Sequence, residues 1–171
     1  MYSCLEQNTF SRPPFSLIAI RKKDMTLIRK WRNEQMEILR QNSPLTQEEQ
    51  VRYWEEEIVP SFSNPRPKNI LLSFLKEDQL IGYGGLVHID WEARISEVSF
   101  LLETKRMETS YEEEFLVFLH LIKTVASSVN IVTLTTEVYD FRSRHVKLLE
   151  ASGFQFEKSH NHSIFHTYEI Q

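Results

Sequence analysis

A histidine and an aspartate that follow a glycine-containing segment are the first candidates for chemistry. His88 and Asp90 come shortly after three glycines within residues 82–85. Histidine titrates near neutral pH and therefore suits a general base, although a histidine at a strand end is also common as a plain surface residue. Asp90 could orient His88 or bind a sugar hydroxyl. Earlier in the chain, Arg32 has a planar guanidinium, which can pair with a phosphate or a carboxylate through two parallel hydrogen bonds.

A predicted strand, an exposed loop and a helix start together suggest an anion site. Ile95–Leu102 alternates in polarity, which predicts a strand with one buried face. The polar run 103–110 follows, and apolar residues then recur at the spacing of an amphipathic helix. Free backbone N–H groups at a helix start bind anions, and Lys105 and Arg106 add positive charge. The carboxylates of Glu112–Glu114 would repel an anion at the same place.

Three histidines near the C-terminus raise the question of a metal site. His160 and His162 share one face of a predicted strand, and His166 follows. Because no carboxylate or cysteine occurs at matching spacing, we interpret them as the surface of a terminal hairpin and predict no metal.

The single cysteine, Cys4, predicts neither a disulfide framework nor a thiolate cluster. The sequence therefore indicates a reducing compartment, and we expect a cytoplasmic protein.

Length and composition predict one globular domain. A chain of 171 residues with 41% hydrophobic residues can bury one sizeable core. We expect an N-terminal arm over residues 1–14, laid on the surface or disordered, and a single domain over residues 15–171. A net charge of −4 argues against nucleic-acid binding, and no apolar run reaches membrane-spanning length. These features leave a small molecule as the expected partner, with no nucleic acid and no membrane.

Periodicity predicts alternating strands and helices. A capping box, Thr46 with Glu49, predicts the start of a helix that runs to about Val59, and Asp24 is expected to cap an earlier helix from Met25. The three prolines after Val59 predict a loop over residues 60–67, and Gly153 is expected to end the last helix. The predicted order is β α α β β β α β α β with a terminal hairpin, and the predicted strands cover residues 16–21, 69–75, 79–88, 95–102 and 131–138.

Four motifs resemble the GNAT superfamily of N-acetyltransferases, most closely the branch that includes ribosomal-protein and amino-sugar N-acetyltransferases. The resemblance covers Leu17 to Ile170. The motifs are Trp31-Arg32-Asn33, the segment 43–49, Ile81-Gly82-Tyr83-Gly84-Gly85-Leu86 followed by Glu97-Val98-Ser99-Phe100, and Leu148-Leu149-Glu150-Ala151-Ser152-Gly153-Phe154. This resemblance implies an α+β (α/β) fold, the GNAT acyltransferase fold, with a mixed central sheet of about six to seven strands flanked by about four helices.

The resemblance implies acetyl-CoA as co-substrate and no metal. In the family, acetyl-CoA lies where the strand at Glu97 to Leu102 splays from its neighbour, and the pyrophosphate sits on the loop before the long helix. The implied cofactor-binding residues are Ser99, Phe100, Leu101, Leu102, Lys105, Arg106, Thr109, Ser110, Arg142 and His145. Thr109 and Tyr111 stand where the family has glycines, which let the backbone approach phosphate oxygens. The sequence therefore predicts a degenerate pyrophosphate loop, and Leu149 stands where many members have a general-acid tyrosine.

Acetyl transfer to an amine requires a base for the ammonium and a proton for the leaving thiolate. The resemblance places Glu97 as the base, and the alternative is an exposed strand residue paired with Arg94 or Lys105. Tyr83 could protonate the thiolate, or it could be an ordinary half-buried tyrosine. The acceptor site is expected to use residues of the first helix and the end of the glycine-containing strand. They are Trp31, which could instead be core, Arg32, Gln35 and Asp90.

The resemblance implies an acetyl-CoA-dependent N-acetyltransferase that is a monomer or a homodimer. The preferred acceptor is the amine of a small molecule. Within that class we expect an amino sugar, and in particular a nucleotide-linked one. In one alternative the protein is the same kind of enzyme, but its acceptor is a protein N-terminus. The other alternative is a degenerate, non-catalytic binding module with the same fold, suggested by Thr109, Tyr111 and the missing tyrosine.

Overall fold

One mixed eight-stranded sheet forms the centre of the molecule in the computed structural model, which describes residues 1–170; Gln171, the last residue of the predicted domain, lies outside them. The strand order is β1-β2-β3-β4-β5-β6-β8-β7, and only the β5–β6 pair is parallel. The strands are β1 (Thr9–Arg12), β2 (Phe15–Ala19), β3 (Ile70–Lys76), β4 (Gln79–Asp90), β5 (Ile95–Leu102), β6 (Thr133–Tyr139), β7 (Gln155–His160) and β8 (Ser163–Glu169).

Four helical units flank this sheet, and the predicted α+β fold class is confirmed. One of them runs continuously from Gln47 to Ser63, with a π-helical segment at Trp54–Ile58 between its two α-helical parts. Its start is the predicted capping box, in which Thr46 and Glu49 exchange both hydrogen bonds. The helices are α1 (Met25–Glu34), α2 (Gln47–Tyr53), α3 (Val59–Ser63), α4 (Tyr111–Ser128) and α5 (Ser143–Ala151). None of the helices in residues 1–170 combines the length and apolar composition that a bilayer crossing requires.

Two apolar cores hold the helices on the two faces of the sheet. The larger core packs α4 against the sheet, with the buried rings of Phe74, Phe115 and Phe118 at its centre. The smaller core joins α1 and the Gln47–Ser63 unit to the other face, and includes Trp31 and Tyr83. The sheet is therefore covered on both faces, and the smaller core borders a cavity described below.

Glycines in β4 let it approach β5 closely. A Cβ atom on Gly84 would lie 2.1 Å from the Ser99 carbonyl oxygen, and one on Gly82 would lie 2.6 Å from that of Leu101. The expected close backbone approach at these glycines is therefore present. It fixes the position of β5, whose far edge borders the candidate site.

The N-terminal residues differ from the expected surface arm or disordered tail over residues 1–14. Residues Thr9–Arg12 form β1 and pair with β2, and Phe10 lies in the core. The buried hydroxyl of Tyr2 donates to the Leu71 carbonyl (3.1 Å) and accepts from the Leu71 N–H (2.8 Å). Aromatic side chains in this segment thus bury enough apolar surface to fix the chain.

Three local expectations are corrected. Asp24 does not cap α1; its buried carboxylate binds Arg21 (2.6 Å and 2.9 Å) and accepts from Ser73 (2.7 Å). Residues 60–63 are helical rather than loop, because Pro60 follows directly after the π-helical segment Trp54–Ile58, where the regular ladder of i→i−4 hydrogen bonds is already interrupted. His166 is not surface: it is fully buried on β8, opposite Thr136 of β6.

Candidate active site

A gap between β5 and β6 leaves backbone groups free for a ligand. The two strands pair only from Ile95–Thr133 to Glu97–Thr135 and then diverge. The carbonyl oxygens of Ser99 and Leu101 lie close to β4. Because successive residues of a strand direct their backbone groups to opposite sides, Val98 and Phe100 present theirs to the gap. An extended chain with amide groups can therefore pair with this edge of β5.

The gap forms a narrow cavity of about 110 Å³, which we call the wedge. Its lining includes Val98, Ser99 and Phe100 of β5, Thr136 and Tyr139 of β6, and Tyr111, Arg142, His145 and Leu149 from the two helices that close it. The Thr136 hydroxyl is buried and has no hydrogen-bond partner among residues 1–170. A buried hydroxyl without a partner is costly, so this atom is available to a polar group of a ligand in the wedge.

A much larger cavity, which we call the side cavity, lies between the smaller core and the Gln47–Ser63 unit. Its volume is about 830 Å³, within the range of small-molecule sites. Apolar residues of the smaller core, such as Ile28 and Leu71, form part of its wall. Its charged lining residues are Arg32, Arg40, Arg52, Glu49, Glu56, Glu57 and Glu97, and the imidazole of His88 also lines it.

Glu97 lies where the wedge and the side cavity meet. Leu39, Arg40, Glu97 and Ser99 line both cavities. The Glu97 side chain is 17% exposed. One carboxylate oxygen lies 3.0 Å from His88 Nδ1, and the other accepts a hydrogen bond from Arg40. Arg40 also binds Glu137 of β6, so one guanidinium bridges the diverging strands.

A β-bulge brings His88 onto the same face as Glu97. Val87 pairs with Glu97, and Asp90 pairs with Ile95, so β4 has one extra residue between these pairs. His88 adopts a left-handed conformation (φ 52°), and its N–H donates to the Asn69 side chain (2.9 Å). In a regular strand His88 and Val87 would point to opposite faces; the bulge changes this direction. The imidazole is 59% exposed, so it connects Glu97 with water.

Three hydrogen-bonded side chains, Tyr111, His145 and Arg142, close the wedge where α4 and α5 begin. The Tyr111 hydroxyl lies 2.7 Å from His145 Nδ1 and accepts from Arg142 (3.1 Å). Burial raises the pKa of Tyr111. Burial, the positive charge of Arg142 and the nearby His166 lower the pKa of His145 from 6.5 to about 3. His145 is therefore a neutral hydrogen-bond partner at neutral pH, and Arg142 is the cation of this group.

The lowered pKa of His145 predicts acid sensitivity. Below pH 6.5 the unfolded chain protonates this imidazole and the folded chain does not, until the pH approaches about 3. The free energy of unfolding therefore falls by about 1.4 kcal/mol per pH unit from this residue alone as the pH decreases through that window. We expect His145→Phe to flatten the pH dependence by this amount in urea unfolding between pH 7 and pH 4.5. His120→Gln, on the exposed face of α4, is the control; parallel wild-type and His145→Phe profiles would contradict the prediction.

The predicted pyrophosphate loop lies outside the wedge. Lys105 and Arg106 form salt bridges with Glu103 (3.1 Å and 2.9 Å), and Arg106 also binds the fully buried Glu114 (2.7 Å). The N–H groups of Thr109 and Ser110 bond to the Arg106 carbonyl (3.3 Å and 3.1 Å). The two cations and these two N–H groups are thus already engaged within the loop.

Several predicted site residues lie elsewhere. Leu101 and Leu102 are buried in the two cores and line neither cavity. Trp31 is core, the alternative considered for it. Gln35 is buried and donates to the Leu102 carbonyl (2.8 Å), and Asp90 accepts from two N–H groups of its own turn. Core packing and hydrogen bonds elsewhere in the fold thus keep these residues out of both cavities.

Tyr83 and Arg32 reach the side cavity away from Glu97. Arg32 donates to the Tyr83 hydroxyl (2.7 Å). Tyr83 pairs with Leu101, four residues along β5 from Glu97, which is about 13 Å at the rise of a strand. The structure therefore does not bring Tyr83 to the Glu97–His88 pair.

Sequence reasoning missed Arg40, Glu137 and the buried hydroxyl of Tyr111. Glu137 had a visible signal, since it belongs to the polar alternation of the predicted strand 131–138. Arg40 follows a short 3-10 turn and contacts residues 57 and 97 positions away, which no local pattern reveals. Among residues 1–170 no group of three or more metal-ligating side chains comes together.

Comparison with known proteins identifies relatives of this fold. Residues 17–168 match the acetyltransferase (GNAT) domain family. No curated protein sequence matches the chain significantly.

Solved structures are similar over almost the whole chain. Spermidine N-acetyltransferase from Vibrio cholerae, in complex with CoA and spermine, is 15% identical with a TM-score of 0.74, and the match covers 93% of this chain and 97% of that one. RimL, a ribosomal alpha-N-protein acetyltransferase in complex with coenzyme A, is 9% identical with a TM-score of 0.75, covering 95% and 98%. A domain from Methanocaldococcus jannaschii is 15% identical with a TM-score of 0.69, covering 91% and 98%. At these identities the likeness shows the fold.

Proposed function

The chain belongs to the GNAT acetyltransferase family, and from this premise we propose that it transfers the acetyl group of acetyl-CoA to a primary amine of a small molecule held in the side cavity. The observation that carries the proposal is the position of Glu97. Among the residues that the structure describes, only four line both the wedge and the side cavity, and Glu97 is the one of them with a carboxylate. A base at such a junction can reach an amine in one cavity and an acyl donor in the other.

The residues of the wedge fit the extended arm of acetyl-CoA. The free backbone groups of Val98 and Phe100 would hold its amides, and the Thr136 hydroxyl would receive one further polar atom. Arg142 supplies a cation at the wide end, while Thr109 and Tyr111 replace the family's glycines. We infer that the phosphates are held there mainly by Arg142 rather than by Lys105 or Arg106, which are paired. When bound, acetyl-CoA supplies an activated acetyl thioester.

Glu97 acts as the general base of the proposed reaction. It accepts a proton from the substrate ammonium, directly or through one water molecule; the neutral amine then attacks the thioester carbonyl, the C–N bond forms as the C–S bond breaks, and the leaving thiolate takes a proton from solvent. His88 lies 3.0 Å from the carboxylate and is largely exposed, so it passes this proton to solvent. Arg40 keeps the carboxylate in place by a charge-assisted hydrogen bond.

The charges of the side cavity favour an acceptor with more than one positive group. Four carboxylates and three guanidiniums line it; Arg40 forms salt bridges with Glu97 and Glu137, whereas Arg32 donates hydrogen bonds only to the neutral side chains of Tyr83 and Gln41. Within residues 1–170, Glu56 and Glu57 form no salt bridge. An amine at Glu97 and a second cation at this acidic pair would suit a di- or polyamine, the class named for the V. cholerae relative.

An amino sugar, including a nucleotide-linked one, is the second candidate acceptor. The sequence resemblance over residues 31–40 and 82–91 supports it, and Arg52 at the cavity wall could pair with a phosphate. A protein N-terminus is the remaining acceptor class. The size of the side cavity favours a small molecule over it.

A single assay with three acceptors tests this function. Purified protein is mixed with acetyl-CoA and spermidine, glucosamine or a short N-terminal peptide, and free thiol is measured. We expect the fastest release with spermidine, and a raised KM for spermidine when Glu56 and Glu57 are both changed to Gln. Calorimetry with acetyl-CoA is the control for the cofactor. Absent binding at millimolar acetyl-CoA would support the non-catalytic binding module instead, and fastest release with glucosamine would favour the amino sugar.

A further inference from the structure

The direction of a donor molecule in the wedge follows from how its two strands diverge. Pairing between β5 and β6 closes the wedge at Glu97 and Thr135, and the strands separate toward Leu102 and Tyr139. If the reacting thioester lies beside Glu97, as the proposed function requires, the rest of the donor must leave through the wide end. Its nucleotide then lies outside the wedge, close to the end of β6 and the start of α5.

An aromatic pair with one exposed ring lies at that wide end. Tyr139, the last residue of β6, lines the wedge, and its ring stacks on Phe141 with centroids 5.4 Å apart and an interplanar angle of 13°. Phe141 is 60% exposed. One face of its ring is thus supported by Tyr139, and much of the ring remains in water. Arg142 follows directly and lines the wedge.

We propose that the Phe141 ring, supported by Tyr139, stacks on the adenine of coenzyme A as the donor leaves the wedge. A nucleobase has two flat faces, and stacking on an aromatic side chain requires no specific hydrogen bonds. Stacking also removes apolar surface of both rings from water. This contact would anchor the nucleotide end beside Arg142. Such an anchor matters because the loop at Thr109 and Tyr111 presents fewer backbone N–H groups to the phosphates than a glycine-rich loop does.

Binding measurements separate the adenine contact from the rest of the site. Calorimetry gives the Kd of coenzyme A and of 4′-phosphopantetheine, which lacks the adenosine, for the wild type, Phe141→Ala and Phe141→Trp. We expect Phe141→Ala to raise the Kd of coenzyme A about tenfold, from the usual strength of base–aromatic stacking, and to leave that of 4′-phosphopantetheine unchanged. Phe141→Trp should retain the wild-type affinity. Phe156→Ala removes an equally exposed ring on β7 (59%) and is the control.

A spectroscopic readout reports the stacking directly. In the wild type the adenine protons of bound coenzyme A should shift upfield in NMR spectra because of the ring current of Phe141, and this shift should disappear in Phe141→Ala. If Phe141→Ala weakened the binding of coenzyme A and 4′-phosphopantetheine equally, or left the affinity and the adenine chemical shifts unchanged, the stacking proposal would be overturned and the proposed enzyme function would stand. A wild type that fails to bind coenzyme A would overturn both.

Discussion

Glu97→Gln should lower kcat for amine acetylation by about 10²- to 10³-fold, the usual contribution of a general base, and leave the Kd of coenzyme A within about twofold. Glutamine keeps the size of the side chain and still accepts a hydrogen bond from Arg40, but it takes no proton from an ammonium group. The backbone of Val98 and Phe100 is unchanged, so the wedge keeps the N–H and C=O groups that would bind the donor. Steady-state kinetics and calorimetry on the same preparation measure the two effects.

The contrast with Glu137→Gln makes this test specific. Glu137 binds the same Arg40 and lines the wedge, but it does not line the side cavity. If Glu97 acts as the base, Glu137→Gln should lose much less activity, and the pH dependence of kcat should change only in Glu97→Gln. Equal losses would mean that the Arg40 bridge matters and that Glu97 has no special role.

Local sequence signals predicted most of the fold because they depend on nearest neighbours. The Thr46–Glu49 capping box and the αL glycine at Gly153 (φ 92°) both occur as expected. The errors arose where distant packing decides. β1 exists because it pairs with β2 and buries Phe10, and Asp24 binds Ser73 in another strand instead of capping α1. Neither partner is visible from the local pattern.

The candidate site was predictable only in part for the same reason. Glu97 followed from the resemblance, yet its neighbours depend on a bulge at His88 and on Arg40, 57 residues away in sequence. His166 shows a different error: it was expected on the surface of a terminal hairpin, but its strand β8 lies between β6 and β7 and its side chain is fully buried. Contacts between distant strands therefore decide which titratable groups face a cavity.

Gly84→Ala should lower the free energy of unfolding by about 3 kcal/mol, at the upper end of overpacking effects. The new methyl group would lie 2.1 Å from the Ser99 carbonyl oxygen and 2.8 Å from Phe118 Cζ. Neither neighbour can move away easily. The Ser99 carbonyl faces β4 between two paired strands, and the Phe118 ring is fully buried against Phe74 and Phe100. β5 must therefore move away from β4, toward the wedge, and coenzyme A affinity should fall together with stability.

Gly153→Ala is the graded control for this prediction, measured by urea unfolding under the same conditions. Its methyl group would lie 3.2 Å from the edge of the Tyr168 ring, and its cost comes mainly from the left-handed backbone (φ 92°). We expect a loss of about 1 kcal/mol there, with coenzyme A affinity unchanged because Gly153 lines neither the wedge nor the side cavity. A Gly84→Ala protein as stable as Gly153→Ala would show that β4 and β5 can separate at little cost. The close approach at Gly84 would then not be what fixes the edge of the wedge.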